Sequence, residues 1–132
     1  QHDIDIISNH EIAIFNNNNS SLRDNNISQI LVYNFINKKF KKKFQHQLIK
    51  DNFKTRTQGL QEILNDGAML VEETDHGRII FFDKDGNKEW EYVNKSKNGK
   101  IYEVLWSRLI SDKKQVKKLK KIFKTKKCNI KF

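Results

Sequence analysis

Apolar side chains alternate with polar ones along much of this chain, and the runs of alternation are short and bounded by turn-forming residues. Ile4 and Ile6, then Ile12 and Ile14, recur at every second position on either side of Ser8-Asn9-His10, with Asp3, Asp5, Glu11 and Ala13 between them. A period of two sends successive side chains to opposite faces of a strand, so this pattern predicts two strands joined by a tight turn. The asparagine-rich stretch 16–26 breaks the pattern and reads as a long loop. Strand character returns over residues 29–36 and, more weakly, over 40–49, which makes four strands.

The second half repeats the layout more tightly. Residues 60–64 lead through Asn65-Asp66-Gly67 into 68–72. Thr74-Asp75-His76-Gly77 then turns into 78–82, and Asp83-Lys84-Asp85-Gly86-Asn87 into 89–93. Each turn offers a glycine or asparagine where a positive φ is needed, so the pattern predicts a four-stranded meander. The halves superpose: Ile6-Ile7-Ser8-Asn9 matches Ile63-Leu64-Asn65-Asp66 at an offset of 57, and Phe35 and Phe44 match Phe81 and Trp90 at an offset of 46. Four-stranded units recurring every ~40–50 residues are the mark of propeller blades.

The fold class expected is therefore all-β: a partial β-propeller of about two four-stranded antiparallel blades. A further strand is expected over Ile101–Ile110, and a basic carboxy-terminal helix or tail after it. The blades are assigned to residues 1–111 and the lysine-rich segment to 112–132. A ring takes about four to eight blades, and Gln1 opens directly into a strand pattern. The chain is therefore expected to be the carboxy-terminal part of a larger domain.

The charge changes this picture only at one end. The chain carries a formal +10, yet residues 112–132 hold ten lysines and one aspartate, while residues 1–111 hold sixteen basic against fifteen acidic side chains. A nucleic-acid-binding fold carries its basic stripe on the folded face, so this distribution argues against nucleic acid as the main partner. Val116, Leu119, Ile122 and Phe123 recur at helical spacing among the lysines, and predict a short amphipathic helix. Attachment to nucleic acid or to an anionic membrane surface is left as a property of that tail alone. The single cysteine, Cys128, excludes an intrachain disulfide and a cysteine zinc cluster, and no base accompanies it in the tail. No run reaches the ~18 apolar residues of a membrane-spanning helix.

Several tempting motifs have plainer readings. In Asp83-Lys84-Asp85-Gly86-Asn87 the glycine stands fourth and no glutamate stands twelfth, which fits a hairpin turn and not a calcium loop. His10, in a turn, and His46, expected on an outer strand, have no partner at metal-ligand spacing. No metal or cofactor is expected. Phe81, Phe82, Trp90 and Tyr92 are expected to pack between blades, and Arg78, opening a third strand, is expected to be structural.

Three stretches carry a more specific pattern. These are Gln1-His2-Asp3-Ile4-Asp5-Ile6, Gly77-Arg78-Ile79 followed by Asp85-Gly86-Asn87-Lys88-Glu89-Trp90-Glu91-Tyr92, and Trp106-Ser107-Arg108. Over residues 1–110 they resemble the carboxy-terminal blades of the arylsulfotransferase family. The resemblance implies transfer of a sulfuryl group from a phenolic sulfate donor to a phenol acceptor through a sulfated histidine, and a home in the bacterial cell envelope or periplasm. Such chemistry needs a neutral nitrogen near pH 7, which histidine offers, and donors that hold the sulfuryl oxygens as charge shifts.

His2, at the start of an innermost strand, is then the expected nucleophile; Asp3, next to it, would point the opposite way on a regular strand. Arg56, in the loop leading into the second inner strand, and His76, in a loop on the same face, are expected to contact substrate. Arg108, which matches an arginine in the family's terminal pattern, is expected to do so too. With its ring incomplete, the piece alone is expected to be inactive. The alternative is a non-catalytic propeller that binds a protein or glycan through the loops of one face.

Overall fold

The computed structural model describes residues 2–19 and 26–125; Cys128 and part of the asparagine loop lie outside them. Among these residues run the strands β1 (His2–Ser8), β2 (Glu11–Asn16), β3 (Gln29–Asn34), β4 (Lys39–Lys43), β5 (Leu60–Ile63), β6 (Met69–Glu73), β7 (Arg78–Phe82) and β8 (Lys88–Val93). Helix α1 (Gln45–Lys50) separates β4 from β5, and helix α2 (Lys113–Thr125) follows the strands. Two four-stranded antiparallel sheets result, in the orders β1-β2-β3-β4 and β5-β6-β7-β8. The protein is mostly β, a partial propeller of two blades whose inner strands are β1 and β5.

The turns form where their side chains can satisfy the backbone. Asp83 accepts the amides of Asp85 and Asn87 at 2.9 and 2.8 Å, and Gly86 follows at φ 86°. Hydrogen bonds from the Asn87 side chain and amide hold the Asp83 carboxyl below its usual range. The Asp83 carboxylate thus serves a hairpin turn.

Register assigns the faces. Asp5 pairs with Ala13, Ala13 with Val32, and Phe15 with Ile30, and this side of blade one meets blade two. There Phe15 and Ile30 join Met69, Val71, Ile80 and Phe82 in one buried cluster with Ile27, Leu48 and Phe53. Ile4, Ile14 and Leu31, and beside them Ile6, Ile12, Tyr33 and Phe40, form cross-strand rows on the other side. Ile4 and Ile6 are 66% and 84% exposed. The isoleucines that announce the strands therefore line an open face, and the packed face uses the positions between them.

The weak strand expected over residues 40–49 is corrected to β4 followed by α1, so His46 sits on a helix. Phe44 adopts a left-handed conformation, φ 50°, and turns the chain out of the sheet. The blades approach through β1 and β2 against β5 and diverge toward their outer strands. Helix α1 fills the space this leaves: Leu48 is buried and the Phe44 ring lies 6.0 Å from that of Phe82. Apolar residues at 44 and 48 suit one helical face, not a strand.

The repeat is real, but its second offset shifts. The starts of β3 and β7, Gln29 and Arg78, and of β4 and β8, Lys39 and Lys88, are both 49 residues apart. Phe35 falls in the turn after β3 and Phe44 at the start of α1, so neither is the counterpart of Phe81 or Trp90.

The further strand expected over Ile101–Ile110 is also corrected. Ile101 bridges Lys95, and beyond it the segment runs without strand pairing. It crosses the far side of blade two, where Glu72 Oε2 accepts the Ser107 amide at 2.6 Å and Glu62 Oε2 the Leu109 amide at 3.0 Å. Carboxylates take the place of a neighbouring strand's carbonyls. Gly77, at φ 57°, lies so close to the Tyr102 carbonyl that a side chain there would overlap it. Of the aromatic residues expected between blades, Phe82 is in the core. Trp90 stacks on Phe81 at 5.6 Å and, like Tyr92, stays about half exposed on this far side.

Candidate functional site

The inner strands start side by side. The Gln61 amide donates to Asp3 Oδ2 and the Gln61 side-chain nitrogen to the Asp3 carbonyl, both at 2.8 Å. His2 opens β1 and pairs with Phe15 at the end of β2, while Leu60 opens β5 and pairs with Glu72 near the end of β6. The loop before β5 and the turn between β6 and β7 therefore lie at the same end as His2. That end carries two clefts.

The first cleft, about 220 Å3, is lined by His2, Asp3, Gln58, Gly59, Glu72 and Trp106, among others. Asp3 takes φ 48° with a register shift between His2 and Ile4, a local bulge that re-aims its side chain. The regular strand expected here is thus interrupted, and the Asp3 carboxylate is engaged by β5. Gly59, at φ 104°, passes over the Phe15 ring so closely that any side chain would collide with it. The cleft floor depends on that glycine.

The second cleft, about 570 Å3, is lined by Asn19, Lys54, Thr55, Arg56, Asp75 and His76, among others. Asp75 Oδ2 accepts the Arg56 amide at 2.7 Å and lies 3.6 Å from the guanidinium Nε, while the rest of the Arg56 side chain reaches into solvent. His76 sits on a short 3-10 turn, Thr74–His76, which brings Nδ1 within 3.1 Å of Glu73 Oε1. Glu73 is buried and also accepts the Lys54 amide at 2.5 Å and Arg78 Nε at 2.6 Å. Arg78 in turn donates to the Asp51 carbonyl at 3.0 Å. A carboxylate removed from water is stable only with such partners. Nδ1 is thus the ring nitrogen turned toward the Glu73 carboxylate, and Nε2 is the one left for another partner.

Arg108 lines neither cleft. Its guanidinium lies 5.6 Å from the Trp106 ring centre and donates to the Ser107 carbonyl at 3.1 Å. It meets the His2 cleft only through Trp106. Its charge also acts on Asp5, whose carboxyl is pushed up by burial and by neighbouring Asp3, against the pull of Gln61 and Arg108.

The structure thus brings Arg56 and His76 together and puts His2 in the adjacent cleft. The loop between them is pinned by Asn17, whose side-chain nitrogen donates to the carbonyls of Thr55 at 3.0 Å and Gln58 at 2.7 Å. Glu73, Glu72 and the lining role of Trp106 were missed in the sequence. The available signal was the pair Glu72-Glu73 closing the apolar run Met69-Leu70-Val71: acids inside a strand buried on both faces need dedicated donors. Among the described residues no group of three His, Cys, Asp or Glu side chains is placed to hold a metal ion.

The family model described as Arylsulfotransferase (ASST) matches residues 1–95. No curated protein and no solved structure matches the chain.

Proposed function

This chain belongs to the arylsulfotransferase family, and from that premise we propose that it supplies two blades of an aryl-sulfate sulfotransferase. The reaction moves a sulfuryl group from a phenolic sulfate ester to a phenol by way of a sulfated histidine. The family match carries this reading, since it takes in the strand that His2 opens.

In the proposed reaction the imidazole of His2 attacks sulfur in line. The N–S bond forms as the bond from sulfur to the phenolate oxygen breaks. A second phenol then attacks sulfur as the N–S bond breaks, its proton passing through solvent to the released phenolate, and His2 is freed. One feature supports His2 for this role: it opens onto a cleft. The face of Trp106 suits an aryl ring in the same cleft. Arg56 and the Nε2 side of His76 are assigned to the sulfuryl oxygens or to the second substrate, and Arg108 to holding Trp106. The open apolar faces of the blades are assigned to further blades of the ring.

The division of the cationic candidates between two clefts favours a second reading, a propeller that binds without catalysing. One experiment separates the two. The ring-complete protein, offered 4-nitrophenyl sulfate and a phenol, should release nitrophenol and yield a sulfated histidine peptide by mass spectrometry. His2→Ala should lower turnover by at least about a thousandfold, and Arg56→Ala by on the order of a hundredfold. Full turnover in His2→Ala would remove His2 from the mechanism. Absence of any turnover in the intact protein would leave the binding module as the reading.

A further inference from the structure

Helix α2 has an apolar side that nothing among the described residues buries. Its sequence over Lys113–Thr125 is KKQVKKLKKIFKT, with seven lysines, no acid and no buried residue. At 100° per residue, Val116, Leu119, Ile122 and Phe123 fall within about one third of the circumference, and every lysine falls outside that arc. Phe123 is 76% exposed.

This helix is poorly supported in water. Thirteen residues are marginal for an isolated helix. Lys113 and Lys117, Lys114 and Lys118, Lys117 and Lys121, and Lys120 and Lys124 stand four apart, where like charges repel. Lys113 and Lys114 also crowd the end where the helix dipole disfavours cations. Local aids are few: Asp112 accepts the Gln115 amide at 2.7 Å, and the Thr125 hydroxyl donates to the Lys121 and Ile122 carbonyls at 3.0 and 3.2 Å. The helix therefore needs a surface that is both anionic and apolar.

We propose that α2 lies in the interface of an anionic lipid bilayer, with Val116, Leu119, Ile122 and Phe123 among the acyl chains and the lysines at the headgroups. Two independent observations select this occupant. The charge is concentrated here, ten lysines in residues 112–132 against a nearly balanced remainder, and it complements acidic headgroups. The apolar arc is what separates lipid from nucleic acid: phosphates would satisfy the lysines and leave Phe123 in water. The attachment is peripheral, since no helix among the described residues is long and apolar enough to cross a membrane.

The test is co-sedimentation of the full chain with phosphatidylcholine vesicles, with and without phosphatidylglycerol. Binding is expected only with phosphatidylglycerol and should fall steeply with salt. Replacing Lys117, Lys120 and Lys121 together by glutamine should weaken it by on the order of a hundredfold. Phe123→Ser, which keeps every charge, should weaken it about tenfold. In a Phe123→Trp chain, tryptophan emission should shift to the blue when these vesicles are added. No binding to phosphatidylglycerol vesicles at low salt, or equal binding to neutral ones, would overturn the proposal. So would unchanged binding by Phe123→Ser together with equal affinity for a single-stranded RNA, which would make α2 a nucleic-acid contact.

Discussion

Asp5 faces blade two from β1, paired with Ala13 and beside the Gln61 side chain. Burial pushes its carboxyl up, the neighbouring Asp3 adds to this, and Gln61 and Arg108 only partly oppose it. A folded-state value above the ordinary 3.8 means that the native protein favours the neutral form more than the unfolded chain does. The corresponding stability is fully present below 3.8 and is lost as pH rises through the folded value. Asp5→Asn should therefore raise the melting temperature at pH 7, and the advantage should vanish near pH 3. Thermal melts at the two pH values check this. An equal gain at both would assign the effect to packing, and a loss at pH 7 would mean that attraction to Arg108 outweighs burial.

At the scale of elements, the segment after β8 is held by side chains of β5 and β6. Glu72→Ala should leave the Ser107 amide without its acceptor, at a cost of about 1–3 kcal/mol. Hydrogen exchange of the Ser107 and Leu109 amides should then quicken by at least about tenfold while β6 and β7 keep their protection. Unchanged exchange would show that the segment is held by its apolar contacts. This element also marks where sequence reading stops. Alternation and turn chemistry locate β1, β2, β3 and the β5–β8 meander, because a period of two and an Asp-Gly or Asn-Asp-Gly turn are local properties. Ile101, Leu105 and Leu109 suggest a strand, yet whether one forms depends on a partner that only the fold supplies. Helix α1 is hidden for the same reason: six residues have little helical preference of their own, and the space between diverging blades selects them. At the clefts, the closeness of Arg56 and His76 follows from which loops share an end of a blade, while His2 is singled out by the family resemblance alone. The part played by Glu73 follows from neither, since its bond to His76 needs the 3-10 turn that folds the ring back.

For the whole molecule, the decisive feature is the apolar surface left open on the sides of the blades away from their shared core, one whole side of blade one and the outer part of blade two beyond the 101–110 segment. Blade one presents Ile4, Ile6, Tyr33 and Phe40, blade two Phe81, Trp90 and Tyr92, and Ile6 is 84% exposed. Contiguous apolar patches of this kind are rare on finished surfaces of soluble proteins. A propeller explains them without special pleading, because its blades pack on both sides and close by covering every face. The 132-residue chain alone should then self-associate through these faces as its concentration rises, and should bind an apolar-surface dye. Ile6→Lys combined with Tyr92→Lys adds a charge to each open side, which should shift sedimentation toward the monomer and lower dye binding, with the β-sheet circular dichroism unchanged. A chain that stays monomeric and dye-silent at high concentration would mean that both sides are completed surfaces. The clefts beside His2 and His76 would then have to work with the walls they have.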